Sequence, residues 1–161
     1  MVFILISELL QWLENSLWAT NIRQSLWWYP ILEIIHITGI VLVAGGAILF
    51  DILLLKNTGS NALSNFAHYL LSWSLKGLIF VIPSGFLLFI TNATALANDL
   101  TFHLKLILLA VAGLNGWLFH RYKIKDKMVI RTKTGVPVKL TAAISIVLWL
   151  SIIACGRLLA Y

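Results

Sequence analysis

Four histidines, His36, His68, His103 and His120, stand in a chain of 161 residues that is 60% hydrophobic and only 11% charged. In so apolar a sequence an ionisable side chain is expensive, and a functional role is the first hypothesis for it. Neutral imidazole offers one lone pair to a metal. Two imidazoles on different helices, at one depth in an apolar bundle, form the axial ligand set of a b-type haem. The depths of the four fall into that pattern. At 1.5 Å per residue, His36 lies roughly 8 Å, and His103 roughly 13 Å, to one side of the midpoints of their spans. His120 lies about 13 Å and His68 about 16 Å to the other side. The expectation is an outer pair, His36 with His103, and an inner pair, His68 with His120, each ligating one haem b. A single haem is expected if only one pair holds.

Neighbouring residues extend the two sites. Gly39 is one helical turn beyond His36 and Gly116 one turn before His120, where a missing side chain would let a flat macrocycle approach the backbone. Lys105 and Arg157 lie at the outer depth and could pair with haem propionates. Glu33, one turn before His36, could orient its ring or pair with Arg157. Plainer readings stand beside these. His68, His103 and His120 lie near span ends, where an interfacial histidine is ordinary, and glycines serve helix packing. His103 and His120 are 17 residues apart, which puts them about 100° from a shared helix face, so two haems would lean on different sides of that helix. Asp51 and Lys76 lie in the same half of the bundle, and a buried pair between them is the simple explanation of both. Asn115 reads as an interhelical hydrogen bond.

The elements that must position these groups are legible from hydropathy. The mean hydropathy is +0.94, and the charged fraction is far below the roughly 25% of a soluble domain, so most of the surface must face lipid. Four apolar spans, 28–55, 65–91, 101–121 and 139–159, each reach the ~20 residues that a bilayer requires. Residues 1–21 alternate polar and apolar at helical period, with Ser7, Glu8, Gln11 and Glu14 on one stripe. They read as an amphipathic interfacial helix anchored by Trp12 and Trp18. No basic leader with a small-residue cleavage site precedes them, so a removable signal peptide is not expected. Pro83 is expected to kink the second span. The fold expected is thus all-α and integral to the membrane: an antiparallel bundle of four transmembrane helices preceded by an interfacial helix, one domain over 1–161.

The net charge of +6 is concentrated in one segment, 121–139, which carries Arg121, Lys123, Lys125, Lys127, Arg131, Lys133 and Lys139. A basic loop between two spans marks the cytoplasmic side, which places both termini and the 92–100 loop outside. It also argues against nucleic acid as a partner. The lone Cys155 lies in an apolar run and reads as a small buried hydrophobe. There is no glycine-rich phosphate loop, no paired-cysteine motif and no covalent haem-attachment motif.

Several local motifs carry a resemblance. Trp12-Leu13-Glu14, Tyr29-Pro30 through Glu33 and His36, and Asp51 before Leu53-Leu54-Leu55 form a series. It continues through Phe102-His103-Leu104-Lys105, Ala112-Gly113-Leu114-Asn115, Phe119-His120 and Gly156-Arg157. Over nearly the whole chain this series resembles a family of small bacterial inner-membrane proteins that carry a domain of unknown function. That resemblance implies a four-helix membrane fold, with His36, Lys105, Asn115 and His120 in the family pattern. In part the chain is also similar to small diheme b-type membrane cytochromes, which implies electron exchange with quinone or superoxide at the outer haem. It is similar in part to membrane haem-containing protoporphyrinogen oxidases, through His36, Gly39 and Gly45-Gly46 and through His103 and Lys105. The leading expectation is a b-type haem membrane cytochrome of the bacterial inner membrane, an oxidoreductase linked to quinone or another redox partner. The alternatives are a haem-dependent protoporphyrinogen-oxidase-like enzyme and a cofactor-free small transporter or scaffold; an oligomer is compatible with each.

Overall fold

Helix accounts for nearly all of the computed structural model, which describes residues 2–56, 61–123 and 136–159. In chain order the helices are α1 (Val2–Glu14), α2 (Leu17–Gln24), α3 (Trp28–Ile40), a π-helical turn (Val41–Gly45), α4 (Gly46–Lys56), α5 (Asn61–Thr91), α6 (Ala93–Ala97), α7 (Leu100–Lys123) and α8 (Val136–Leu158). Four stretches are long and apolar enough to cross a membrane: Trp28–Lys56, Ser72–Thr91, Leu100–Leu118 and Lys139–Leu158. They match the four spans expected from hydropathy, because a sustained apolar run is a strong signal.

The first span is the centre of the arrangement. Of its apolar window 39% is buried inside the protein, against 6% for Leu100–Leu118. The α3 half packs on α5, the α4 half packs on both α5 and α8, and α7 packs on α8. The extensive contacts therefore run from α5 through the first span to α8 and α7. They join α3 to α5, with a smaller contact to α2, and none of comparable extent joins α3 to α7 or α8.

Small residues bring the first two spans together. A Cβ at Gly39 would lie 2.7 Å from Val81 Cγ2, and one at Gly77 would lie 2.8 Å from Leu42 Cβ. Beside them the wide turn Val41–Gly45 turns its Val43 carbonyl toward buried Ser74, whose hydroxyl donates to it at 2.7 Å. α5 continues through Pro83 as unbroken helix, as neighbouring helices can support in an apolar medium.

At the end where α3 begins, the N-terminal segment docks on the others. The expected single helix over 1–21 is two helices, broken at Asn15–Ser16, with Ser16 capping α2 by accepting from the Ala19 amide at 3.3 Å. The break lets Arg23 reach inward: its guanidinium donates to the Glu14 carbonyl at 2.6 Å and to the Thr91 carbonyl at 2.9 Å. Thr91 ends α5, where carbonyls lack helical partners, and Arg23 supplies one. The 92–100 segment, expected as a loop, contains the short α6, and Asp99 caps α7 by accepting from the Thr101 and Phe102 amides at 2.6 and 3.2 Å.

Candidate functional site

His36 lies on α3, half-buried against α5. Its Nδ1 is 3.0 Å from Ser84 Oγ. The Ser84 hydroxyl has one proton, and it is directed at the Phe80 carbonyl one turn back. Toward His36 the Ser84 oxygen is therefore the acceptor, which assigns the proton to Nδ1 and leaves the lone pair on Nε2. Gly85 makes room for the ring: a Cβ there would lie 2.9 Å from His36 Cε1. Neither Ser84 nor Gly85 stands out in the sequence. Periodicity gives the face of each helix but not the rotation that sets one helix against another.

His103 repeats the tautomer. Its Nδ1 is 2.8 Å from the Asp99 carbonyl, an acceptor only, so Nδ1 carries the proton and the neutral ring keeps its lone pair on Nε2. The side chain is exposed on α7.

Lys105, two residues on, is half-buried, and its aliphatic stem runs over Gly156. Its Nζ would lie 3.4 Å from a Cβ at that position. It makes no hydrogen bond or ion pair among the described residues. It is close enough to His36 for its charge to act on the ring. α3 packs chiefly on α5, and no contact of comparable extent joins it to α7 or α8, so the helices that carry His36 and Lys105 are not packed on each other.

The other expected site residues fare differently. Gly39 is closed off by Val81 and Phe80, so its missing side chain serves helix contact and not a macrocycle. Gly116 has open space beside it. Arg157 is exposed in the last turn of α8, and Glu33 is exposed without an ion pair among the described residues. His68 and His120 belong to α5 and α7, but their side chains lie outside what the structure describes, as do residues 124–135 of the basic segment. The described residues hold no group of three or more metal-ligating side chains; a haem needs two axial nitrogens at most.

One expected pair is not formed. Lys76 is exposed, with its Nζ over the Trp73 ring at 5.2 Å from the centroid. Asp51 is buried and hydrogen-bonds Ser145 of α8 instead. The register of the two spans sets them apart: Gly77 meets Leu42 and Val43 while Gly46 meets Leu70 and Ser74, so Lys76 is level with Val43 and not with Asp51, and hydropathy does not supply that register. Cys155 is buried and free, as its apolar setting implies.

Comparison of the chain with protein-family models, curated proteins and solved structures finds no match. The functional reading rests on the geometry.

Proposed function

We propose that this chain is a b-type haem protein of the bacterial inner membrane, an antiparallel bundle of four transmembrane helices that moves electrons at or across the bilayer. The observation that carries this reading is the hydrogen-bond chain from His36 Nδ1 through Ser84 to the Phe80 carbonyl. A ligand histidine is oriented by a hydrogen bond at its other ring nitrogen, which fixes the tautomer and raises the basicity of the ligating atom. His36 meets that requirement through Nδ1, and Gly85 cradles the ring. His103, with Nδ1 on the Asp99 carbonyl, would hold the same haem from α7. Lys105 has no carboxylate partner among the described residues and would pair with a propionate.

Bound haem supplies a one-electron couple in a medium of low polarity. The inner pair of His68 and His120 would hold a second haem, on the strength of their matched depths. Exchange with quinone or another redox partner takes place at the α6 end. On the positive-inside rule that end is periplasmic, and the 121–139 segment is cytoplasmic.

The test is a reduced-minus-oxidised spectrum of the purified protein with haem quantified as its pyridine complex. His36→Ala should abolish the haem signal at the outer site, and Ser84→Ala should weaken haem retention roughly 10–100-fold, the usual effect of losing an orienting partner. Colourless wild-type protein from haem-replete cells would refute the proposal.

A further inference from the structure

The seam between α4 and α8 holds a second chemical feature. Asp51 is 7% exposed, among Phe50, Leu54 and Ala142. A hydrogen bond joins it to Ser145 of α8, and its Oδ2 has no hydrogen-bond partner among the described residues. A carboxylate with one hydrogen bond inside an apolar span is too costly to persist unless a positive charge meets it. None does among the described residues. On α4 itself Lys56 is exposed at the helix end. On α5 Lys76 is exposed over Trp73 and Tyr69 is exposed, and the His68 side chain lies outside the described residues. On α8 Lys139 is exposed at the start of the span, while Cys155 and Arg157 lie toward its far end, more than two helical turns past Ser145. The π-helical turn carries no titratable side chain.

We propose that Asp51 and Ser145 form a proton-binding site in the α4–α8 seam, occupied at neutral pH. The neutral acid fits the geometry as the anion does not. Its O–H donates to the Ser145 hydroxyl, and the oxygen left alone is then a carbonyl oxygen, a far weaker acceptor than a carboxylate. The seam is also where the first span meets α8, and α8 carries α7 with Lys105 and His103. Loss of the proton would place a bare anion in that seam and drive α8 from α4. The site thus couples proton release to the spacing between the two helix pairs. This inference does not depend on haem.

Infrared spectroscopy of the full-length protein in lipid tests it. The chain has only six Asp and Glu residues, so a protonated carboxylic acid is assignable. The expected result is an acid carbonyl band at neutral pH, shifted in heavy water, absent in Asp51→Asn and unchanged by sodium. Ser145→Ala should retain the band and move it, as its hydrogen bond is lost. If Asp51→Asn fails to fold, the shift in Ser145→Ala decides. A carboxylate at Asp51 at neutral pH overturns the proposal. So does a band that sodium abolishes, which would make the site one for a metal cation.

Discussion

Glu14 accepts hydrogen bonds at Oε2 from the Thr94 amide and hydroxyl, at 3.0 and 2.6 Å, and its Oε1 lies 3.4 Å from Arg23. The Thr94 hydroxyl first, then its amide, hold the carboxyl below its ordinary value of 4.5; burial opposes them, and the Arg23 charge adds a smaller lowering effect. A carboxyl depressed in the folded state stabilises above its unfolded value, and that stability is lost as pH falls through the folded one. The N-terminal segment should therefore loosen on acidification, seen as a change in Trp12 and Trp18 fluorescence. Glu14→Gln should remove the pH dependence. Glu14→Ala should cost about 1 kcal/mol in thermal unfolding, near the low end for a charged hydrogen bond because the site is partly solvated. At this scale the sequence is half legible. His36 and Lys105 stand out because ionisable groups in apolar runs are conspicuous. Ser84, Ser145 and Thr94 do not, because a hydroxyl in a helix is commonplace, and only the rotation of one helix against its neighbour reveals its partner.

Among the elements, the α3–α5 crossing is the most sharply specified. Gly39 faces Val81 and Gly77 faces Leu42 and Val43, each at a distance that leaves no room for a methyl group. Gly113 and Gly116 on α7 have nothing within 4 Å of the point where a methyl group would stand. Alanine at Gly39 or Gly77 must push the helices apart, at about 1–3 kcal/mol each, the typical cost of overpacking. Alanine at Gly113 or Gly116 should be neutral or stabilising by up to about 1 kcal/mol, through helix propensity. Thermal unfolding of the four variants in detergent separates the two classes; equal effects would mean that the crossing is not close-packed. Sequence alone marks all four glycines equally, since composition does not tell a glycine under a neighbouring helix from one facing outward. For the same reason Gly39 reads, by sequence, as a haem cradle. The break between α1 and α2 is hidden in a similar way: the polar stripe continues across Asn15 and Ser16, and the capping role of Ser16 is local.

For the whole molecule, the four spans are plain in the sequence, but not the order in which they touch. Long helices that are apolar on every face show no amphipathic stripe to say which face meets which neighbour. The result is a first span packed on both sides and an α7 held through α8, with no contact of comparable extent from α3 to either of them. Orientation follows from charge. The α6 end carries Asp99 and Glu14, while the lysines and arginines of 121–139 follow α7 in the sequence. On the positive-inside rule we propose that the latter face the cytoplasm. In a Cys155→Ser background, Asn98→Cys should react with an impermeant maleimide in intact spheroplasts. Lys127→Cys should react only after the membrane is opened. The reverse pattern would invert the chain. It would then place His36 and Lys105 toward the cytoplasmic face.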